Sequence, residues 1–429
     1  MRKYILDLRS REWKADASFD TSSFMNIELQ QIADEILESR LDPLFAITVG
    51  GSIYNTPLVH EGIVYFGCCD QKFYALSTSG GLLWSFETQG VIVSSPCMVG
   101  NLLVFGCYDY NLYALERKTG RLSWKFPTGD KIYSDPCTDG SLIFFCSKDG
   151  NAYCVNARGE LVWKFRTGGM IESHPLLYKG TLYFGSNDRN FYAVEPGTGK
   201  LLWKFLAKSG VRLGPVAWKG VIYFVTFDRE VCGVTDKGKQ VFSFMMNDFS
   251  SGSLAAGNDL IYIPSRDRNM YAVRPDGSLA WKFGTGHAVE KAFVNRNLVL
   301  FGGEDHNLYA VEAATGKLTW KFTGNGFMPS TPVTVDGVVY MGGWDCNMYA
   351  LDFSTGKLIW KFRTSIGTQS GFDMEAIRPE KHFEVVWLPE NESSEQKEEE
   401  KNLGDYGESE NLYATGMSKD YVKSKKGYI

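Results

Sequence analysis

Leu122-Ser-Trp-Lys-Phe126 recurs along this chain of 429 residues every 39 or 40 positions. Its aromatic position is filled in turn by Trp84, Trp124, Trp163, Trp203, Phe242, Trp281, Trp320 and Trp360. A period of this size belongs to a solenoid or a propeller, and the content of one period decides between them. The fourth period reads His174-Pro-Leu-Leu-Tyr178, Thr181-Leu-Tyr-Phe-Gly185, Phe191-Tyr-Ala-Val194 and Leu201-Leu-Trp-Lys-Phe205. Between these runs stand Lys179-Gly180, Asp188-Arg-Asn190 and Gly197-Thr-Gly199. Short runs of β-branched and aromatic residues separated by Gly, Asp and Asn are strands joined by tight turns. Four such strands per period make one propeller blade. We label them A to D from the inner to the outer edge. The expected fold is all-β: an eight-bladed β-propeller of four-stranded antiparallel blades over residues 44–371, with a short N-terminal helical extension and a disordered C-terminal tail.

Other positions repeat with the tryptophan. An aspartate opens every B–C turn: Asp70, Asp109, Asp149, Asp188, Asp228, Asp267, Asp305 and Asp345. An aspartate side chain bonds backbone amides two residues on, so eight copies read as turn formers and not as catalytic acids. Glycine in the C–D turns (Gly120, Gly199, Gly316 and Gly356 in the longer form; Gly159, Gly238 and Gly277 in the shorter) supplies a positive φ. Phe45 stands 39 residues before Trp84, a ninth copy of the D strand. Segment 44–49 is therefore expected at the junction of blades one and eight, as an outer strand or beside one.

The ends do not repeat. Phe24 to Leu41 has Leu29, Ile32, Ala33, Ile36, Leu37 and Leu41 at helical spacing, which predicts an amphipathic helix within an extension over 1–43. Residues 372–389 hold one strand-like run, Phe383-Glu-Val-Val-Trp-Leu388. Residues 390–429 begin with six glutamates between Glu390 and Glu400, a composition too charged and too apolar-poor to fold. The formal charge of -5 gives no basic field for nucleic acid. No apolar run reaches the ~18 residues of a membrane span. Nine cysteines, without a zinc-type spacing and with no secretory run at the start, point to free thiols in the cytoplasm.

Tyr309-Ala-Val-Glu-Ala-Ala-Thr-Gly-Lys-Leu-Thr-Trp-Lys-Phe322 resembles the PQQ-type β-propeller repeat. That family includes quinoprotein alcohol dehydrogenases and the non-enzymatic propeller of outer-membrane assembly. The minimal loops here are closer in style to the latter. The resemblance implies that each tryptophan docks between neighbouring blades, on the Ala and Gly positions of the motif. Truncating one, for example Trp203→Ala, then costs ~3–5 kcal/mol. Repeat five departs, with Phe242 for Trp and Cys232-Gly233 for Tyr-Ala, which predicts the loosest join in the ring. The dehydrogenases carry a vicinal disulfide over their quinone, and Cys68-Cys69 echoes it, but the surrounding pocket ligands are missing. No cofactor and no metal site is expected: the five histidines (His60, His174, His287, His306, His382) share no ligand spacing.

Function is expected in what varies. The A–B and C–D turns are monotonous, whereas the B–C tips differ around their fixed aspartate. Lys148, Arg189, Arg229, Arg266, Arg268 and His306 come from blades three to seven and predict a basic arc. Tyr108, Tyr110, Phe227 and Trp344 are aromatic tips of the same face. Arginine and aromatic residues dominate protein interfaces, so these ten are the partner-binding candidates. The partner so implied is a protein, met through an acidic segment; Glu390–Glu400 is such a segment in the chain itself. Glu172, His174 and Arg212, from neighbouring D–A loops, are candidates for the channel mouth. The leading expectation is a non-enzymatic, monomeric interaction scaffold. One alternative is a PQQ- or ligand-dependent oxidoreductase. Another is a recognition body for its own tail, where Tyr406, Tyr413, Tyr421 and Tyr428 are open to modification.

Overall fold

The computed structural model describes residues 3–7, 12–16, 51–250 and 252–364. Within them lie eight four-stranded antiparallel sheets, each built by one sequence period and ordered A-B-C-D from inside to outside. Blade four shows the pattern: A is Leu176–Tyr178, B Thr181–Gly185, C Asn190–Val194 and D Leu201–Leu206. Strands B and C are almost wholly buried on both faces, because each sheet packs between two others. Eight apolar clusters result, each filled from two adjacent blades; Tyr183, Phe191, Phe224 and Cys232 make the one between blades four and five. A register shift one residue after the motif alanine recurs in every C–D pair. Bulges of this kind raise the twist that a blade needs between its inner and outer edges.

The repeated indole does what the resemblance implies. Each tryptophan lies over the C–D turn glycine of the next blade: Trp84 on Gly120, Trp281 on Gly316, and Trp360 back on Gly80 of blade one. A Cβ built on these glycines would come within 2.4–2.9 Å of an indole atom, so only glycine fits beneath the ring. Most of the indoles also donate Nε1–H to a turn carbonyl, as Trp281 does to Ala313 at 2.9 Å and Trp360 to Thr78 at 2.8 Å. Blade five breaks the series. Phe242 has no N–H and does not reach Gly277, whose nearest neighbour would be the Ser243 carbonyl at 3.3 Å.

Ring closure needs no borrowed strand, since blades one and eight each hold four strands of their own. The seam is sealed by Gly51, Ser52 and Ile53. Ile53 N–H donates to Gly343 O at 3.1 Å, Cys69 N–H to Ser52 O at 2.9 Å, and the Thr364 hydroxyl to Gly51 O at 2.6 Å. Segment 44–49, the helix expected over 24–41, the run 383–388 and the acidic stretch lie outside the described residues.

By chain proximity Ile47–Gly371 forms one unit and the two ends form another. The second unit contains a hairpin that sequence reading did not anticipate: Lys3–Asp7 pairs antiparallel with Glu12–Asp16, in register Lys3↔Asp16 to Asp7↔Glu12. Its signal was two short apolar-containing runs, Tyr4-Ile-Leu6 and Trp13-Lys-Ala15, which lie outside the helical pattern. Among the described residues no helix is long and apolar enough to cross a membrane.

Candidate interaction face and channel mouth

The repeated aspartate builds the face on which the B–C and D–A connections emerge. In blade four Asp188 Oδ1 accepts the Asn190 amide at 2.9 Å, while Oδ2 accepts the Tyr192 hydroxyl at 2.6 Å and the Gly168 amide at 2.8 Å. One carboxylate thus closes its own turn, ties it to strand C and fastens the loop arriving from the preceding blade. The aspartates are structural in the way the sequence implied, with two bonds that turn chemistry alone does not provide.

The tight turn forces the residue after each aspartate into the left-handed region. Gln71, Tyr110, Arg189, Arg229, Arg268, His306 and Cys346 all have φ between 64° and 71°, and only Gly150 is a glycine. A side chain there costs about 1–2 kcal/mol. Tyr110 (46% exposed), Arg189, Arg229 and Arg268 spend that strain on side chains directed to solvent.

The ten tip candidates divide. Arg189, Arg229 and Arg268 stand exposed on blades four, five and six in succession, with Arg229 Nη1 on the Asn247 carbonyl at 3.1 Å. Phe227 is 39% exposed and lies over Gly210. Lys148 and Arg266 turn inward, pairing with Glu172 at 2.9 Å and Glu304 at 3.1 Å. His306 and Trp344 pack against Phe327, with ring centroids 5.6 and 4.7 Å away, and Tyr108 lies beneath Lys131. The basic arc therefore narrows to three arginines.

Of the three residues expected at the channel mouth, Glu172 and Arg212 meet, Oε2 to Nε at 2.9 Å, and Glu172 also holds Lys148. Glu172 is only 5% exposed, so one buried carboxylate balances two cations. His174 goes elsewhere. Its Nδ1 accepts the Asp135 amide at 2.6 Å, continuing a circumferential chain in which Ser95 N–H donates to Asp135 Oδ1 at 2.6 Å and Thr56 N–H to Ser95 Oγ at 2.9 Å. An Nδ1 that accepts carries no proton, so His174 is the neutral, Nε2-protonated tautomer. Burial lowers its pKa; Asp135 opposes this and Lys291 adds to it.

Lys291 and Tyr54 were visible in the variable loops without being singled out. Lys291, 5% exposed, reaches from blade seven past blade eight to the Tyr54 carbonyl of blade one at 3.2 Å, with Nζ 4.0 Å from the centre of the Tyr54 ring. Burial lowers the lysine's pKa against the pull of Asp135 and Glu290. Burial, with Tyr133 and Glu290 alongside, raises the Tyr54 phenol well above its usual value. Strand A of blade seven carries Lys291 inward because Gly252 lets the two backbones touch: a Cβ there would lie 2.8 Å from the Lys291 nitrogen. Chemically this is a buried cation held by a carbonyl hydrogen bond and an aromatic face. Among the described residues no group of His, Cys, Asp or Glu could hold a metal ion.

The vicinal pair belongs to the ring seam. The Cys68 thiol donates to Gly51 O at 3.2 Å, and all nine cysteines are free. Burial pushes Cys107, Cys137 and Cys154 up to about 12, so these thiols are unreactive at neutral pH.

A pH dependence follows for His174. Its folded pKa is depressed below the ordinary value of about 6.5, so the unfolded chain binds more protons in that window. Stability is then fully present above about 6.5 and declines as pH falls towards the folded pKa. In His174→Asn the amide oxygen accepts the same amide without titrating. Urea unfolding at pH near 7.5 and near 5 is expected to show a smaller acid loss for the variant; equal losses would remove His174 as a cause.

The fold and these repeats define an eight-bladed propeller of the PQQ-repeat class. The chain matches the family model described as outer membrane protein assembly factor BamB over residues 42–158, 112–241, 148–290 and 228–378, and it belongs to that family. Among solved structures it is similar to BamB from Moraxella catarrhalis, at 15% identity and TM-score 0.59, covering 70% of this chain and 91% of that one. It is also similar to the computationally designed Ika8 protein, at 16% identity and TM-score 0.58, covering 65% and 89%. No curated protein matches it in sequence. A designed protein shares the fold as closely as a natural one, so the architecture by itself carries no function.

Proposed function

We propose that this protein is a non-enzymatic interaction scaffold whose partner docks on the B–C/D–A face over blades four to six. The observation that carries this reading is the run Arg189, Arg229 and Arg268, exposed on left-handed backbone where glycine would be relaxed. Strain kept at an exposed site and diversified from blade to blade is what a binding surface retains and a pure scaffold would lose. With Phe227 exposed two residues before Arg229, the arginines fit an acidic segment with apolar side chains. The family's description makes an assembly factor for membrane proteins a natural setting for such a surface. Nine unpaired thiols favour a reducing compartment instead, and we propose a cytoplasmic location.

The test is the triple variant Arg189→Gly, Arg229→Gly, Arg268→Gly. Glycine suits the backbone, so unfolding free energy is expected to rise by roughly 0.5 kcal/mol per site once glycine's freedom in the unfolded chain is offset, and melting temperature with it. Partners recovered at low salt with the parent protein are expected to be lost. An unchanged set of partners at low salt sinks the reading.

A further inference from the structure

We propose that the outer strand of blade five is a docking edge for a second copy of this chain. Strand D of every blade pairs only with its own strand C, so among the described residues each blade presents one unpaired outer edge. Such edges invite strand addition, and a lysine on the edge is a common means of preventing it. Six blades carry that lysine immediately after the tryptophan: Lys125, Lys164, Lys204, Lys282, Lys321 and Lys361. Blades one and five have Ser85 and Ser243 there, and blade one keeps a charge in the same strand at Glu87. Among the described D strands, Gln240-Val-Phe-Ser-Phe-Met245 is the one with no charged residue.

The occupant follows from what a two-fold axis does to this position. An antiparallel pair centred on the residue after the aromatic sets it opposite its own copy. In blade four that would place Lys204 against Lys204. In blade five it places Ser243 against Ser243, with Val241 opposite Met245 on both sides and Phe242 opposite Phe244 on the other face. Val241 is 48% and Met245 52% exposed, so the pairing covers apolar side chains now in water. The same strand carries Phe242 in place of Trp, so it lacks the indole contact with the turn glycine of the next blade. Two strands of this length bury less than a standard interface, so the dimer is weak, with dissociation in the micromolar range or above. The proposal is independent of the arginine tips.

Sedimentation velocity of the full chain across low to high micromolar concentration tests it. The parent protein is expected to move from monomer towards dimer, and amides of 240–245 are expected to exchange more slowly with hydrogen as it does so. Ser243→Lys restores the guard of the other blades and weakens association on the order of tenfold or more. Ser243 also donates to Glu230 at 2.6 Å, so Met245→Lys, which leaves that bond intact, gives a second variant with the same expectation. Lys204→Glu on blade four is expected to leave the dimer unchanged. A parent protein that stays monomeric throughout, or lysine variants that associate as it does, overturns the proposal.

Discussion

Trp281→Ala is expected to lower the free energy of unfolding by about 3–5 kcal/mol, the usual loss when a buried aromatic site is emptied. Trp281 is 8% exposed, lies over Gly316 of the next blade, and donates Nε1–H to the Ala313 carbonyl at 2.9 Å. Truncation removes the indole from both blades at once and leaves a void that the flanking sheets cannot close without moving. The missing N–H adds a smaller term, about 1 kcal/mol. The comparison that gives this meaning is Phe242→Trp. At the join where the phenyl ring stops short of Gly277, an indole would restore the contact that the other seams have, and stability is expected to rise. Chemical denaturation of the two variants beside the parent measures both. A loss below about 1 kcal/mol for Trp281→Ala would mean that the girdle does not hold the blades together.

Glu172→Ala is expected to lose about 3 kcal/mol, in the range for removing one partner from a buried ion pair. The carboxylate binds Lys148 and Arg212, both at 2.9 Å, and their side chains are 16% and 18% exposed. Without it two cations remain close together, neither free to hydrate fully, and repulsion adds to desolvation. Glu172→Gln keeps the shape and one acceptor, so its loss should fall between parent and alanine. The effect should persist in moderate salt, since pairs this buried are poorly screened. If Glu172→Ala unfolds at the same denaturant concentration as the parent, Glu172 is not what holds Lys148 and Arg212 in place.

Much of the ring was readable before any coordinates. The Trp-Lys-Phe period counted the blades, the alternation within it placed four strands in each, and Phe242 marked the irregular seam. These are local signals: side-chain spacing, turn chemistry and one residue type repeated in phase. The N-terminal hairpin was missed because two short runs compete weakly with the helical pattern that follows them. The site was readable only in part. Sequence placed Lys148 and Arg266 beside Arg189 in one basic arc, since a tip position is all that sequence shows. Whether a cation at that position faces solvent depends on which carboxylate the neighbouring loop brings near it, and Glu172 and Glu304 claim these two.

The chain's own order of residues thus determined the class of fold, the number of blades and the face on which variation gathers, because strand and turn preferences act over a few positions. Closure of the ring decided the rest. Lys291 meets Tyr54 across 237 positions of chain, and no local pattern links them. Their contact exists because eight wedges of nearly equal width bring blade seven within reach of blade one around one axis. Out of water a charge must find a partner or change its protonation, and that requirement sorted the loop residues into those paired in the interior and those that face solvent.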